Sequence, residues 1–220
     1  MTKLGSKKAA ILYQTNDYGT TLRDAFDKAF KASGGVVLAS EGYPLGTTDF
    51  RAALTKIKPL KPDVIFFPLH QKEAILMLRQ AKELGLASKF VSGDGAYTDD
   101  LIKGAGAAAE GTYYSTMALA YGTADQEIKD FQTAFMAKFG QEPDVYSAYY
   151  YEVTKLIAHV IKDSGSTGEA IRQGLQATSG KNAFHGITGE TSFDARGEVD
   201  KPFYIYQITD SKFRLVGPPK

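Results

Sequence analysis

Lys8-Ala-Ala-Ile-Leu-Tyr13 is a compact apolar run near the start of the chain and is typical of a buried β-strand. A helix is predicted from Gly19 to Lys31, because apolar side chains recur there at helical spacing and Gly34-Gly35 ends the pattern. Val36-Val-Leu-Ala39 forms a second apolar run. The alternation of strand and helix that begins here decides the fold.

The same alternation continues through the first half of the chain. Further strands are predicted at 63–67, 89–91 and 111–114, and further helices at 49–57, 72–84 and 98–102. Five strands joined through helices favour a parallel sheet that is covered on both faces. Right-handed crossovers then predict an α/β fold with a doubly wound, mostly parallel five-stranded sheet of strand order 2-1-3-4-5.

The second half has a different character. Helices are predicted at 125–139, 145–163 and 168–177, with no strand between them. Short extended pieces at 183–184 and 191–193 follow, and then a final strand at 203–208 and a polar tail. Either these helices pack onto the first half, or the sheet that they would cover is missing from the chain.

Composition and charge narrow the classes of protein. Of the 220 residues, 43% are hydrophobic and 23% are charged, which is ordinary for a globular protein. Lys and Arg number 26 against 25 Asp and Glu, and the longest basic run is Lys7-Lys8, so no nucleic-acid partner is predicted. The absence of Cys excludes disulfides, thiolate metal sites and thiol nucleophiles. The first eight residues are polar, so we expect no signal peptide, and no apolar stretch is long enough for membrane insertion.

Signatures of catalysis and of cofactors are weak. The chain has no Gly-x-Ser-x-Gly and no phosphate loop ending in Gly-Lys-Ser/Thr. Residues 104–109 formally fit a dinucleotide pattern, but they follow a short helix and not the first strand, so we interpret them as a flexible loop. His159 and His185 have no second ligand at metal-binding spacing. No cofactor, metal or enzymatic activity is therefore predicted.

Three connections after predicted strands are longer than simple linkers and carry chemically useful side chains. Tyr18 follows strand one, His70 follows strand three and Asp94 follows strand four. Because ligands of open parallel sheets bind beyond the carboxyl ends of the strands, these side chains are expected to converge at one edge. Each also has a structural interpretation: Asp94 between two glycines suits a turn, Tyr18 suits packing over a helix start, and His70 suits a surface loop.

A set of motifs in a fixed order gives the chain a family resemblance. The motifs are Lys8-Ala-Ala-Ile-Leu-Tyr with Asp17-Tyr-Gly, Asp49-Phe with Leu54, Pro62-Asp-Val-Ile-Phe, Leu78-Arg-Gln-Ala-Lys-Glu-Leu-Gly, Ala109-Glu-Gly, Tyr146-Ser-Ala-Tyr-Tyr-Tyr-Glu, and Gly186-Ile-Thr-Gly with Phe193-Asp-Ala-Arg-Gly. With its motifs in this order, the chain resembles the type I periplasmic binding proteins of branched-chain amino acid ABC transporters. The resemblance runs from about residue 8 to residue 208.

The resemblance implies two flavodoxin-like lobes that close on a ligand. The match begins at the family's second lobe, so about the first third of the family's chain has no counterpart. Residues 1–116 with 201–220 would form lobe two, and residues 117–200 would be a helical remnant of lobe one. The implied partners are an amino acid and, for a full-length member, an ABC transporter permease, in a periplasmic or extracellular location.

The resemblance also implies roles for four residues. Asp94 matches an acidic residue that holds the ligand's α-ammonium group, Tyr18 matches a tyrosine that lines the site, and Tyr146 matches an aromatic residue near the hinge. His70 stands where some relatives have tyrosine, and this departure leaves the side-chain specificity undefined. The Ser/Thr groups of the first lobe that take the ligand's carboxylate have no counterpart.

Three alternatives remain at this point. The chain could be a self-associating interaction module, at least a dimer, that pairs through the helices at 125–139 and 145–163. It could be the ligand-sensing domain of a receptor or regulator, which rests on fold analogy alone. A flavodoxin-like enzyme would need a cofactor fingerprint or an activated nucleophile, and the sequence offers neither.

Overall fold

The apolar runs of the first half form the strands of one sheet in the computed structural model, which describes residues 4–117 and 126–217. The strands are β1 (Lys8–Gln14), β2 (Val36–Tyr43), β3 (Val64–Phe66), β4 (Lys89–Ser92), β5 (Tyr113–Met117), β6 (Phe184–Gly186), β7 (Gly189–Thr191), β8 (Phe203–Thr209) and β9 (Lys212–Gly217). The helices are α1 (Asp17–Ala32), α2 (Arg51–Ile57), α3 (Gln71–Glu83), α4 (Asp99–Ala105), α5 (Gln126–Phe139), α6 (Val145–Ser164) and α7 (Gly168–Ala177).

Strands β1 to β5 pair in parallel in the order β2-β1-β3-β4-β5. This is the order predicted from right-handed crossovers, and the α/β fold class is confirmed. Side chains of β1 alternate between two cores, since Ala9 and Ile11 pack with Phe30 of α1 while Ala10 and Leu12 pack with residues of α2 and α3. The sheet is thus covered on both faces, which explains why its strands read as continuous apolar runs.

The main sheet has seven strands where the sequence predicted five. Its two additional strands are β8 and β9, which form an antiparallel hairpin next to β5. Asp210 and Ser211 link them, both with positive φ, as a two-residue hairpin turn requires. The segment interpreted as a polar tail is therefore largely β9, in which Phe213 is half-buried and Lys212, Arg214, Leu215 and Val216 are exposed.

Residues 104–109 do not form the predicted flexible loop. Helix α4 continues to Ala105, and a 3-10 turn follows at Gly106–Ala108. Ala109 is fully buried in the core that lies against α3 and α4. The segment packs as a helix end, which is a different structure from the strand-to-helix phosphate loop of a dinucleotide site.

The chain divides into two units, one within Met1–Thr116 and Tyr204–Lys220 and the other within Met117–Phe203. Each unit has its own core among the described residues. The second unit contains α5, α6, α7 and the small antiparallel sheet β6–β7. Ile128, Phe131, Ala148 and Ile187 form its buried apolar cluster. The assignment of the two units as lobes of a larger receptor remains a prediction.

A buried polar network joins α6 to the β6–β7 hairpin. The Glu152 carboxylate accepts hydrogen bonds from the backbone amide (2.6 Å) and hydroxyl (2.6 Å) of Thr188 and from the Thr191 hydroxyl (2.9 Å). It also lies 3.1 Å from the ammonium group of Lys201, and both side chains are buried. Burial alone would raise the pKa of Glu152, but these hydrogen bonds and the Lys201 charge outweigh it, so the pKa of Glu152 is lowered.

None of the helices within residues 4–117 and 126–217 combines the length and the apolar character that crossing a lipid bilayer requires.

Candidate functional site

The carboxyl ends of three neighbouring strands meet at one edge of the main sheet. Strands β1, β3 and β4 are adjacent and parallel, so the segments that leave them lie side by side. Tyr18, His70 and Asp94 belong to those segments, and each of the three is half-buried. In an open parallel sheet this edge is where small ligands bind.

Tyr18 stands in the first turn of α1, where it packs against the segment after β3. Asn16 caps this helix, since its side-chain oxygen accepts a hydrogen bond of 2.9 Å from the Gly19 amide. The rings of Tyr18 and His70 stack with centroids 5.2 Å apart and planes at 24°. The structure thus brings together the two aromatic side chains that the sequence placed at this edge.

Tyr18 also reaches the segment after β4. Its phenol oxygen accepts a hydrogen bond of 2.8 Å from the backbone amide of Gly95. A Cβ atom on Gly93 would lie 2.9 Å from the Tyr18 oxygen, and one on Gly95 would lie 2.8 Å from Tyr18 ring and oxygen atoms. The two glycines that flank Asp94 are therefore needed for the close approach of Tyr18, and not for a positive φ.

Asp94 begins the 3-10 turn Asp94–Ala96. Its carbonyl oxygen accepts a 2.8 Å hydrogen bond from the Tyr97 amide, which closes the turn. The next residue, Thr98, caps α4 and donates a 2.9 Å hydrogen bond to Gln71 at the start of α3. Asp94 thus occupies a turn, as its structural interpretation predicted, and this turn is held at the sheet edge. Its role toward a ligand remains a prediction.

Two polar side chains that the sequence analysis did not single out hold His70. The backbone amide of His70 donates to the side-chain oxygen of Gln14 at 3.3 Å, and Gln14 is fully buried at the end of β1. The Asn16 side-chain nitrogen lies 3.2 Å from Nε2 of His70. Asn16 could have been identified as a helix cap from its position before Asp17, but its contact with a residue 54 positions away has no local signal.

Tyr146 belongs to the other unit of the chain. It is half-buried in the first turn of α6, directly after Asp144, which caps that helix through the Ser147 amide at 2.7 Å. The start of α6 at Val145 agrees with the predicted helix start. A role for Tyr146 in binding stays a prediction.

The described residues offer little for other chemistry. Within residues 4–117 and 126–217 there is no cluster of three or more His, Asp or Glu side chains that could hold a metal ion. His159 and His185 each face one exposed carboxylate, at 3.6 Å from Asp163 and 2.9 Å from Glu190. An open depression of about 470 Å³ lies beside α5 and includes none of the four candidate residues.

A doubly wound sheet with aromatic and acidic side chains at its carboxyl edge defines a class, the small-molecule binding proteins of open α/β architecture. Residues 1–212 match the family model described as periplasmic binding protein. The chain belongs to this family, which confirms the resemblance inferred from its motifs. Family membership also supports a binding protein and not an enzyme.

Named relatives and solved structures agree with this membership. The Leu/Ile/Val-binding protein homolog 1 of Brucella suis is 30% identical over 200 residues, which cover 90% of this chain and 52% of the relative. The leucine-binding protein LivK of Thermotoga maritima superposes with a TM-score of 0.91 at 26% identity, over 99% of this chain and 62% of that one. LivJ of Streptococcus pneumoniae, solved with isoleucine, gives 0.84 at 30% identity, over 98% and 62%. The chain spans about half the length of the curated relatives it matches.

Proposed function

We propose that the chain binds a small amine-bearing acid, an aliphatic amino acid in the first place, as part of the substrate-binding component of an ABC transporter. The carboxylate of Asp94 would accept hydrogen bonds from the ligand's α-ammonium group, and Tyr18 and His70 would form the adjoining wall. A charge-assisted hydrogen bond of this kind suits a carboxylate at the edge of a binding site. A ligand-binding role for Tyr146, which belongs to the second unit, is a prediction from the family resemblance alone.

The Tyr18 contacts are the observation that carries this proposal. One side chain stacks on His70 and hydrogen-bonds Gly95, so the segments after β1, β3 and β4 are held together around it. A site that must recognise a small molecule needs its polar groups fixed before the ligand arrives. The names of the similar proteins, leucine-binding and Leu/Ile/Val-binding, supply the ligand class.

The partner and the location follow from the same proposal. A substrate-binding component delivers its ligand to a membrane permease, so the chain would act in the periplasm or outside the cell. The affinity of the chain by itself is expected to be weak, with a Kd of about 1 mM or higher. The relatives named for binding are about twice as long, and they can supply contacts from both sides of a ligand.

Titration of the ¹⁵N-labelled chain with L-leucine, L-isoleucine and L-valine tests the proposal by nuclear magnetic resonance. The amides of Gly93 and Gly95 should shift with leucine and stay in place with 4-methylpentanoate, which is leucine without its amine. Asp94→Asn should weaken leucine binding by about tenfold to a hundredfold, the value of a hydrogen bond to a charged group.

Asp100→Asn is the matched control for this substitution. It removes the same charge from an exposed side chain whose ion pair is with Lys103 at 3.6 Å, so leucine binding should be unchanged. Equal shifts with leucine and 4-methylpentanoate, or full leucine affinity in Asp94→Asn, would remove the proposed role of Asp94. Tight binding of an aromatic carboxylate such as benzoate would show that the ligand belongs to a class without an amine.

A second candidate function, self-association, is favoured by one face of α6. Tyr150, Val153, Ile157 and Ile161 lie on the same side of this helix, and between 37% and 73% of each residue is exposed. We refer to these four residues as the α6 stripe. Soluble proteins seldom leave such a row of large apolar side chains in contact with water. The candidate occupant is a second copy of the chain, and light scattering in solution tests it.

A further inference from the structure

Asn16 makes two contacts through the two branches of its side-chain amide. The oxygen accepts a hydrogen bond from the Gly19 amide at 2.9 Å, which caps α1. The nitrogen lies 3.2 Å from Nε2 of the His70 ring. Because only the amide oxygen can cap the helix, the cap fixes which branch faces His70.

Because the amide nitrogen of Asn16 faces His70, it determines which nitrogen of the His70 ring carries the proton. An amide nitrogen donates hydrogen bonds and does not accept them, so Nε2 of His70 has to be the acceptor. Nε2 can accept only when the imidazole is neutral and carries its proton on Nδ1. A neutral imidazole in water favours the proton on Nε2, so the contact with Asn16 reverses the intrinsic preference.

The surroundings of His70 keep the ring in this orientation. The ring stacks on Tyr18, and the backbone amide of His70 is held by the buried Gln14 side chain at 3.3 Å. A half-turn of the ring within the stack would place a carbon atom against the Asn16 nitrogen and lose the hydrogen bond. Within residues 4–117 and 126–217, the hydrogen bond of the His70 ring is made by its Nε2 atom, to Asn16.

We propose that Asn16 is a positioning residue that holds His70 as the neutral tautomer with its proton on Nδ1. His70 then offers a ligand a hydrogen-bond donor. Asp94, at the same sheet edge, is an acceptor. The ligand class that matches both carries an amine and an acceptor oxygen, as an α-amino acid does. The tautomer rests on geometry alone, whereas its use in recognition rests on the proposed function.

Long-range ¹⁵N–¹H spectra of the histidine rings test the tautomer directly. They are recorded at about pH 8, above the ordinary titration range of histidine. Comparison with His70→Gln assigns the ring of His70. The ¹⁵N shifts in the wild-type chain should show the proton on Nδ1 and a bare Nε2. A proton on Nε2 in the wild-type chain would overturn the proposal.

Two substitutions of Asn16 keep the helix cap and change what faces the ring. Asp and Ser are both good N-caps, so α1 should stay folded, which circular dichroism checks. Asn16→Asp places a carboxylate oxygen, an acceptor, against Nε2 and should move the proton to that nitrogen, so the two ¹⁵N shifts exchange. Asn16→Ser replaces the donating amide nitrogen with a shorter hydroxyl that can accept as well as donate, so Nε2 is no longer restricted to accepting and the intrinsic preference for a proton on Nε2 should return. His159 and His185, which contact Asp163 and Glu190, serve as internal controls. Unchanged His70 shifts in both variants would show that Asn16 does not set the tautomer.

Titration with L-leucine separates the tautomer from its use in recognition. Leucine should bind Asn16→Ser several-fold more weakly than the wild-type chain, because the ring donor that meets the ligand's carboxylate is lost. Equal affinity would refute the recognition part. If leucine shifts neither Gly93 nor Gly95 while His70 carries its proton on Nδ1, the proposed function fails and the assignment of Asn16 stands.

Discussion

Gly95 shows how single residues at the candidate site are chosen by contacts that are remote in sequence. Its amide donates to the phenol oxygen of Tyr18, 77 residues earlier in the chain. The same closeness leaves no room for a side chain, since an added Cβ would lie 2.8 Å from Tyr18 atoms. The backbone that carries Asp94 is thus positioned against an aromatic ring and not only by its own turn.

Gly95→Ala is expected to displace either Tyr18 or the turn that contains Asp94. Overpacking of this kind costs about 1–3 kcal/mol of unfolding free energy. The measurement is urea unfolding followed by circular dichroism, together with the leucine titration. Because Asp94 moves with the turn, leucine binding should weaken as well.

Gly168→Ala is the matched control. Gly168 is the first residue of α7, and nothing lies within 4 Å of an added Cβ. Alanine is the better helix former, so this variant should be as stable as the wild type or slightly more stable. In the double variant Gly95→Ala with Tyr18→Ala, the new Cβ atom no longer overlaps with the tyrosine ring. The losses of unfolding free energy measured for the two single variants should therefore not add. Additive costs would contradict the contact.

The candidate site could be predicted only in part from the sequence. Tyr18, His70 and Asp94 follow predicted strands, and the rule that ligands bind at the carboxyl edge of a parallel sheet placed them together. The stack of Tyr18 on His70 confirms the proximity of those two residues, and the roles of all three toward a ligand stay predictions. The contacts of Asn16 and Gln14 with His70 could not be predicted, because they join residues 54 and 56 positions apart without any local pattern.

Among the elements, α6 and the β6–β7 hairpin depend on one buried ion pair. Glu152 comes from the middle of the helix, Thr188 and Thr191 come from the hairpin, and Lys201 comes from the segment before β8. A buried carboxylate is tolerated only when its charge is paired and its oxygens are hydrogen-bonded. The four groups meet this condition together. If one of them is removed, the others stay buried without a partner, which destabilises the folded chain.

Glu152→Gln is expected to destabilise the second unit by about 3 kcal/mol, because Lys201 keeps its charge in a buried place. The wild-type chain should also be sensitive to acid. The pKa of Glu152 is below its unfolded value of 4.5, so its contribution is full above that pH. The contribution is lost as the pH falls through the folded-state pKa. Urea unfolding of both chains between about pH 7 and pH 3 measures the difference.

Glu142→Gln provides the control on an exposed carboxylate of the same unit. It should leave the unfolding free energy unchanged at neutral pH. Lys201→Met combined with Glu152→Gln should recover much of the loss, because no charge then remains buried. An acid response of Glu152→Gln as steep as that of the wild type would show that other groups carry the pH dependence.

The elements of the fold were more predictable than the site. Of the seven helices described within residues 4–117 and 126–217, six both start and end within two residues of their predicted bounds, because apolar spacing and capping residues such as Asp144 and Thr167 mark them locally. Strand β9 was missed because its turn is Asp210-Ser211 and not the Asn-Gly or Asp-Gly pair that usually indicates a tight hairpin. Its Lys and Arg residues also made the segment read as polar.

At the scale of the whole molecule, the low net charge and the exposed apolar surface both favour association between copies of the chain. The formal net charge is +1, so two copies of the chain repel each other little. The α6 stripe spans residues 150 to 161, about 16 Å along the helix at 1.5 Å per residue. Weak repulsion and an apolar row of this length favour contact between copies, although a hydrophobic face is also what a further part of a longer receptor would cover.

Ile157→Glu is the substitution that tests self-association, because it places a charge in the middle of the α6 stripe. If copies pair through this face, light scattering of the wild-type chain should give twice the 23.9 kDa mass of one chain, and the variant should give the single mass.

Ala158→Glu adds the same charge one residue further along the helix, outside the α6 stripe, and should leave the pair intact. A wild-type chain that stays at the single mass at high concentration would contradict self-association. The same result would leave the proposal for Asp94 unaffected, since the α6 stripe and Asp94 belong to different units of the chain.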